Sequence, residues 1–465
     1  MAGIAELTSG DLVSLYRRRA LSPVEVAADV LARIEANRAV NAFMPLEPER
    51  VLAQARGAEA RWRRNAPCGP LDGVPVTIKD NIWVAGMPTL RGSKTCDRAP
   101  AKEDAPAVAR LREQGAVIIG KTCLPEYGWI GACHSPLTGI TRNPWNLDCT
   151  TGGSTGGGAV AALLNLGVMH LGTDGAGSLR IPAAFTGVFG IKPTYGLVSA
   201  FPPSPFNVLA HQGPITRSVG EAAAMLSIIS GPDARDMTAW NSPAVDFTAG
   251  LDDGVRGLRI AWSPRLGQEI TLDPEVEAAT KRTMALLADG GAIIEAADPD
   301  LADAGGIIRT LWFAGASSIV DSVPENRRSE MDPGLLQVAE WGKSVTTNQY
   351  IAAYSARSAL DRTMLDFHRR YDLLMTPTMP ITAFDVGHTS PPNSAFGKDW
   401  LDWSPYTYPF NLTQQPAASV PCGLSSRGLP IGLQIVGPRG ADRLVLRAAR
   451  AIEMMQPFLK LPVNS

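Results

Sequence analysis

The sequence predicts an α/β fold in which helices cover a β-sheet. Three stretches carry this prediction, because an amphipathic helix precedes a short apolar strand at residues 104–119, 158–171 and 275–295. Alternation of helix and strand is typical of sheets with helical layers on their faces. The chain has 465 residues, of which 45% are hydrophobic, so it is long enough to bury a large core.

The N-terminal hundred residues predict two helices followed by a strand. Ser22 is expected to cap the second helix, because Pro23 occupies its first position and Glu25 stands three residues after the cap. Residues 73–82 are apolar and end in polar side chains, which predicts a buried strand.

The elements that follow have clear start and stop signals. Asp104 is expected to cap a helix that ends before Gly115, and residues 116–119 to form the strand behind it. Near the C-terminus, residues 429–436 predict another strand, and residues 442–455 an amphipathic closing helix.

The domain organisation is expected to be simple, with one domain over residues 1–465. We find no internal repeat and no low-complexity linker. The proline-rich segment 201–206 and the polar stretches 239–257 and 389–398 are interpreted as loops within this unit. A soft boundary near residue 255 is the alternative.

Composition excludes several function classes. The net charge of −2 gives no electrostatic reason to expect nucleic acid or an anionic membrane as a partner. The N-terminus lacks the pattern of a signal peptide and no uninterrupted apolar run is long enough to cross a bilayer, so we expect no membrane segment. Six cysteines without a CxxC pair indicate reduced thiols in the cytoplasm, and five scattered histidines predict no metal or other cofactor.

Two serines lie in glycine-rich turns. Ser154 stands in GGSTGGG, directly before a predicted helix, and Ser178 follows 24 residues later in GAGS. Such turns aim several backbone N–H groups at one point. A phosphate site is the alternative for the first turn, although the GK[ST] ending of a P-loop is missing. An ordinary tight turn is the alternative for the second.

Lys79 ends the apolar run GVPVTIK, 75 residues before Ser154. Acyl transfer needs a nucleophile, a base and donors for the developing oxyanion. A lysine serves as base only when neutral, and burial on a strand favours the neutral form. A lysine at a strand end, taken alone, more commonly points to water. Together, however, the two serines and the lysine are the parts of a Ser-Ser-Lys acyl-transfer site.

The combined motifs resemble those of the amidase signature family. They are GVPVTIKDN, GGSTGGG and GTDGAGSLRIPAAFTGVFGIKPTYG, with NPWN, GPITRSV and LPIGLQIVGP elsewhere in the chain. The resemblance extends from about Leu7 to Met455 and has its core signature region at about residues 70–220. It implies a single mixed central sheet, covered by helices on both faces.

The resemblance also implies roles for individual residues. Ser178 is the nucleophile, Ser154 follows a cis peptide bond and bridges to Lys79, and Lys79 is the final base. The chain departs from the family pattern at Thr151, Thr155 and Ala176, where Pro, Ser and Gly are common, but every triad member is retained. The further site residues implied are the oxyanion-hole N–H groups of Gly175, Ala176, Gly177 and Ser178, and the supporting residues Thr155, Asp174 and Arg180.

The C-terminal phrase WSPYTYPFNLTQQPAASVPCG resembles stand-alone bacterial amidases and aryl acylamidases. We therefore expect a hydrolase of small neutral aryl or alkyl amides. The alternatives are a carbamate (urethane) hydrolase with the same triad, the glutaminase subunit of a tRNA-dependent amidotransferase, and a non-catalytic binding protein. The expected partner is a small-molecule substrate, and a homodimer is an open alternative. Residues expected to contact the substrate are Tyr127, Gly128, Trp129, Ile130, Phe206 and Gln414.

Overall fold

A ten-stranded mixed β-sheet lies at the centre of the fold. The computed structural model describes residues 3–241, 244–392, 396–397 and 399–461. In chain order the strands are β1 (Pro75–Lys79), β2 (Val117–Thr122), β3 (His134–Ser135), β4 (Gly139–Ile140), β5 (Arg142–Asn143), β6 (Asn146–Thr150), β7 (Met169–Asp174), β8 (Phe189–Lys192), β9 (His211–Thr216), β10 (Arg259–Trp262), β11 (Ile293–Ala296), β12 (Leu373–Pro377), β13 (Ala417–Leu424) and β14 (Pro430–Val436).

The strand order in the large sheet is β11-β10-β12-β14-β13-β8-β9-β7-β1-β2, and β3 to β6 form two separate small hairpins. Strand β1 pairs in parallel with β2 and β7, and β10 pairs in parallel with β11 and β12. The strands between these two parallel groups pair antiparallel. The sheet is therefore mixed, as the resemblance implies.

Helices surround the sheet. They are α1 (Ser9–Arg17), α2 (Pro23–Ala36), α3 (Pro48–Arg63), α4 (Pro106–Glu113), α5 (Gly156–Leu163), α6 (Arg180–Thr186), α7 (Val219–Ile229), α8 (Pro274–Asp289), α9 (Ala304–Asp321), α10 (Pro333–Lys343), α11 (Thr347–Phe367), α12 (Pro409–Leu412) and α13 (Asp442–Met455). Across the described ranges, none of the helices combines the length and the apolar character needed to cross a bilayer.

Alternate residues of the central strands belong to two different hydrophobic cores. In β12, Leu373 and Met375 pack in the core that includes α4, α7, α8 and α13, whereas Leu374 packs in the core that includes α6, α9, α10 and α11. Successive side chains of a strand point to opposite faces of the sheet. Helical layers therefore cover both faces, and the predicted fold class, a single large α/β domain with a mixed sheet, is confirmed.

Local signals were predictive at some element ends and misleading at another. The Ser22 side chain accepts a hydrogen bond from Val24 N, and Glu25 completes the predicted capping box. The prediction for Asp104 is wrong, because α4 begins at Pro106 without a side-chain cap. The Asp104 carboxylate instead accepts hydrogen bonds from the backbone of Ala85 and from Arg112.

The segments interpreted as loops contain neither helix nor strand in their described residues. This holds for residues 201–206 and for the described parts of 239–257 and 389–398. Residues 242–243, 393–395 and 398, which belong to the latter two predictions, lie outside the described residues.

Candidate active site

The candidate site lies at the carboxyl ends of two neighbouring strands. Strand β1 ends at Lys79 and β7 ends at Asp174, and the two strands run in parallel. Carboxyl ends of parallel neighbours meet at the same edge of a sheet, which is where α/β proteins bind ligands. Helices α5 and α6 pack on each other and on these strands, and the turns that precede them bring Ser154 and Ser178 to this edge.

Lys79 is completely buried. Its Nζ lies 2.7 Å from Ser154 Oγ, 3.0 Å from Thr155 Oγ1 and 2.9 Å from Thr173 Oγ1. No carboxylate in the described part of the chain forms an ion pair with it. Because an ammonium group loses its hydration there, burial lowers the pKa of Lys79 to about 7. The alternative that this lysine ends its strand in water is therefore wrong.

Two polar residues that the sequence reasoning missed hold the lysine in place. Thr173 Oγ1 accepts hydrogen bonds from Lys79 Nζ and, at 3.0 Å, from Asn81 Nδ2. The Thr155 hydroxyl donates to Thr173 O at 3.0 Å. Asn81 and Thr173 stand inside the motifs KDN and GTDG, so their positions were visible in the sequence. Only the strand pairing shows that their side chains meet.

The two serines lie in the walls of one cavity of about 240 Å³. The Gly153–Ser154 peptide bond is cis, as the resemblance implies. The two glycine-rich turns are tied together, because Thr155 N donates to Ser178 O at 3.1 Å. The structure thus brings Ser154 and Ser178 to one cavity, with Lys79 behind Ser154.

The turn before α6 offers backbone donors to that cavity. Gly177 N donates to Asp174 Oδ1 at 2.7 Å, so this N–H group is already occupied. The N–H groups of Gly175, Ala176 and Ser178 have no hydrogen-bond acceptor within the described residues. The predicted oxyanion hole is therefore corrected from four donors to three, because the Asp174 side chain uses Gly177 to hold the turn.

A buried ion pair braces this turn. Asp174 and Arg180 are both fully buried, with Nη2–Oδ1 at 2.9 Å and Nε–Oδ2 at 3.0 Å. Burial raises the pKa of the Asp174 carboxyl, but the charge and hydrogen bonds of Arg180 outweigh burial and hold that pKa below its usual range. Arg180 also donates to Thr407 O, Gln434 Oε1 and Asn411 Oδ1, at 2.8, 2.8 and 2.6 Å.

Aromatic side chains form another wall of the cavity. Phe206 and Trp312 both line it and stack with their ring centroids 3.7 Å apart. Tyr127 and Gly128 line it on the side of Ser154, since a Cβ atom at Gly128 would lie 3.0 Å from Ser154 Oγ. Three of the six residues expected to contact a substrate, Tyr127, Gly128 and Phe206, therefore face the same space as the serines.

The other three predicted contact residues do not line the cavity. Tyr127 and Gly128 both have positive φ, 52° and 73°, and turn the chain away. Trp129 and Ile130 consequently pack in the hydrophobic core instead. Gln414 Nε2 donates to Val208 O at 3.4 Å behind the lining. These three expectations are corrected.

The site combines a buried amine, two serine hydroxyls and a turn with three unoccupied N–H groups. These are the groups that acyl transfer needs as base, nucleophile and oxyanion donors. Among the described residues, no group of three or more His, Cys, Asp or Glu side chains is arranged to hold a metal ion.

Comparison with known proteins defines the class. The family model described as Amidase matches residues 25–446. An acylamidase from Rhodococcus erythropolis is 35% identical over 467 residues, an alignment that covers 99% of this chain and 98% of that relative. The chain therefore belongs to the amidase signature family, and it is an enzyme that hydrolyses the C–N bond of amides.

Relatives with different activities are equally similar. The A-type subunit of the glutamyl-tRNA(Gln) amidotransferase from Geobacter sp. (strain M21) is 35% identical, with 97% of each chain covered. A solved bacterial aryl acylamidase of the amidase signature family superposes with a TM-score of 0.91 at 27% identity, covering 97% of this chain and 96% of that one. Sequence identity alone therefore does not select the substrate.

Proposed function

We propose that this protein is a stand-alone serine hydrolase that cleaves small aryl or alkyl amides, including anilides, through an acyl-enzyme on Ser178. The observation that carries the proposal is the buried Lys79 amine, 2.7 Å from Ser154 Oγ, behind a cavity that Ser178 also lines. The similarity to an acylamidase and to a solved aryl acylamidase supports this substrate class.

In the first step, the Ser178 oxygen attacks the amide carbonyl carbon. Its proton passes to Ser154 Oγ while the Ser154 proton passes to the neutral Lys79 amine. The carbonyl oxygen becomes an oxyanion, which accepts hydrogen bonds from the unoccupied N–H groups of the turn at Gly175–Ser178. Such fixed donors stabilise the transition state because they are oriented before charge develops.

In the second step, the C–N bond breaks. The proton held by Lys79 returns through Ser154 to the leaving nitrogen, which departs as an amine. The acyl group stays on Ser178 as an ester. Water then attacks this ester, the relay accepts a proton from the water, and Ser178 is released with the carboxylic acid product.

The cavity walls support a small, partly aromatic substrate. Phe206 and Trp312 present an apolar surface, and aromatic rings gain from stacking or edge contact beyond simple burial. A carbamate offers the same carbonyl to the same nucleophile and donors, so it belongs in the substrate panel.

A second candidate function is the glutaminase subunit of a tRNA-dependent amidotransferase, which the similarity to the Geobacter protein favours. That role requires partner subunits, whereas a stand-alone amidase works without them. A homodimer and a cytoplasmic location remain predictions from the sequence, which light scattering and cell fractionation would test.

The test is turnover by the isolated chain. Purified wild type is assayed with p-nitroacetanilide, a benzamide, a p-nitrophenyl carbamate and glutamine. Release of the aromatic amine, without glutamine hydrolysis, is the expected result. Glutamine hydrolysis that appears only on addition of partner subunits, without any anilide or benzamide turnover, would favour the second candidate instead.

A further inference from the structure

A cation in the wall of the catalytic cavity has no acidic partner. Arg91 is half-buried and lines the cavity together with Asn81 and Tyr127. In the described part of the chain, its guanidinium forms no ion pair and no side-chain hydrogen bond. A guanidinium carries five N–H donors in a planar fork. An Arg left unpaired at this position is therefore available to a ligand.

The other charged residues of the lining are engaged with the protein itself. Arg235 Nη2 lies 2.9 Å from Asp233 Oδ2, and its Nη1 lies 2.6 Å from Glu103 Oε2. Asp236 accepts hydrogen bonds from the backbone N–H groups of Ala200 and Thr238, both at 2.8 Å. Among the described lining residues, the charge available to a substrate is thus the positive charge of Arg91.

The backbone around Arg91 is fixed by the catalytic strand and by the turn at Tyr127. Arg91 N donates to Asp80 O at 3.1 Å, and Arg91 O accepts from Tyr127 N at 2.7 Å. Arg91 and Tyr127 both have φ of 52°, a conformation that side chains other than glycine rarely adopt and that clusters at functional sites. The Asp80 carboxylate is paired with Lys121, 3.3 Å away.

The position of Arg91 indicates which half of a substrate it would meet. The Tyr127–Gly128 turn bonded to Arg91 adjoins Ser154 Oγ, and Asn81 is linked through Thr173 to Lys79. In the proposed mechanism, Ser154 hands its proton to the leaving nitrogen, so the leaving amine lies towards this wall.

The acyl half is expected at the aromatic wall. A Cβ atom at Gly175, in the oxyanion turn, would lie 3.1 Å from Trp312. The carbonyl group held by this turn therefore points its acyl substituent towards Trp312 and Phe206.

We propose that Arg91 binds a carboxylate on the leaving-amine half of the substrate, so that the substrate class is an N-acylated amino acid or aminobenzoate. The proposal rests on the amide hydrolysis proposed above, and it replaces the neutral substrate expected from the sequence. The planar fork of arginine matches a carboxylate with two parallel hydrogen bonds. Specificity then arises from this pair, while the aromatic wall accepts the acyl group.

The test compares two anilides that share their acetyl group. One is p-nitroacetanilide, and the other carries an additional carboxylate on the aniline ring. The ratio of kcat/KM for the carboxylated over the plain anilide is measured for wild type, Arg91→Met, Arg91→Lys and the exposed neighbouring control Arg98→Met. Methionine keeps a Cβ atom and a long side chain, so it adds no new backbone strain at Arg91.

Wild type is expected to prefer the carboxylated anilide. Arg91→Met should lower the ratio about tenfold to a hundredfold, the range for a hydrogen bond to a charged group. Arg91→Lys should fall between the two because it keeps the charge without the fork, and Arg98→Met should keep the wild-type ratio. A wild type without preference, or an unchanged ratio in Arg91→Met, would overturn the proposal while amide hydrolysis stands.

Two further arms separate the failure of this proposal from failure of the proposed function. Calorimetric binding of the carboxylated anilide to Ser178→Ala needs no turnover, and adding Arg91→Met should abolish that binding. Equal binding by both proteins would contradict the proposal even if no anilide were hydrolysed. A succinylated p-nitroanilide places the carboxylate on the acyl half, and a larger Arg91→Met loss on this compound would contradict the assignment to the leaving amine.

Discussion

The chemistry of Lys79 follows from what surrounds its amine. Three hydroxyl oxygens lie within 3.0 Å of Nζ, and no carboxylate of the described chain is paired with it. A neighbouring carboxylate would stabilise the ammonium form, whereas hydroxyl groups can accept from the ammonium or donate to the neutral amine. Burial therefore decides the protonation state, and the amine becomes a base near neutral pH.

The rate should depend on pH in a defined direction. The pKa of Lys79 is lowered to about 7 by burial, and only the neutral amine accepts a proton. We expect kcat/KM to rise with pH through this pKa and then to level off. The measurement is a kcat/KM profile from about pH 5 to about pH 9, with folding checked by fluorescence at each pH. A profile that is flat on the acid side would contradict Lys79 as the base.

The two serines should respond differently to substitution. Ser178→Ala removes the atom that forms the covalent bond, so turnover should fall about a thousandfold or more. Ser154→Ala removes only a relay hydroxyl, and a water molecule beside Lys79 can restore part of the path, so residual activity is expected. Steady-state rates of both variants and of the exposed control Ser14→Ala check this. Wild-type turnover by Ser178→Ala would contradict the nucleophile assignment.

Local patterns made the triad predictable at the residue scale. Ser154 and Ser178 stand in glycine-rich turns, and Lys79 ends an apolar strand, which short windows of sequence reveal. The partners of Arg180 were not predictable, because Asn411 and Gln434 reach it from positions 231 and 254 residues away. The loss of Gly177 from the oxyanion donors depends on a side-chain hydrogen bond, which sequence spacing does not show.

At the scale of the element, the turn from Asp174 to Arg180 requires glycine at position 177. Gly177 has φ of 131°, and a Cβ atom there would lie 2.5 Å from Thr407 Oγ1. The same hydroxyl donates to Ala176 O at 2.6 Å, so displacing Thr407 would also disturb the oxyanion turn.

Gly177→Ala should therefore reduce both stability and activity. Backbone strain and the displaced contact together should lower the free energy of unfolding by about 1–3 kcal/mol or more. Gly306→Ala is the matched control, since nothing lies within 4 Å of its Cβ position and alanine in a helix stabilises by about 1 kcal/mol. Urea unfolding and kcat are measured for both. Equal stability of the two variants would refute the steric argument.

Element boundaries were only partly predictable. The capping box at Ser22 is a strictly local pattern, and it formed as predicted. Asp104 has the right residue type for a cap, but tertiary partners, Ala85 and Arg112, take its carboxylate. Helix α3 was not predicted, although Val51, Ala55, Ala58 and Trp62 form its buried face. Its many arginines obscured that spacing.

At the scale of the whole molecule, the C-terminal part of the chain completes the catalytic turn. Residues of α12 and β14, together with the loop before α12, surround the Asp174–Arg180 pair through Thr407, Asn411 and Gln434. Sequence alternation indicated the α/β class, but it contains no information on strand order. The mixed topology was available only through the resemblance to a family.

Gln434→Leu tests this dependence. The substitution keeps the side-chain volume but leaves one Arg180 donor and one Thr376 hydroxyl without their partner. Leaving buried polar groups unpaired should lower the free energy of unfolding by about 1–3 kcal/mol, and kcat should fall because the brace of the oxyanion turn loosens. Urea denaturation and steady-state kinetics check both effects. Unchanged stability would show that the C-terminal strand does not support the turn.

The most direct measurement of the central claim is covalent labelling of the isolated protein with a serine-directed fluorophosphonate, followed by intact mass and peptide mapping. Wild type and the exposed control Ser14→Ala should each take up one label, located on Ser178, and Ser178→Ala should take up none. Absence of labelling in wild type, or a label that persists in Ser178→Ala, would contradict a nucleophilic Ser178 activated through Ser154 and Lys79.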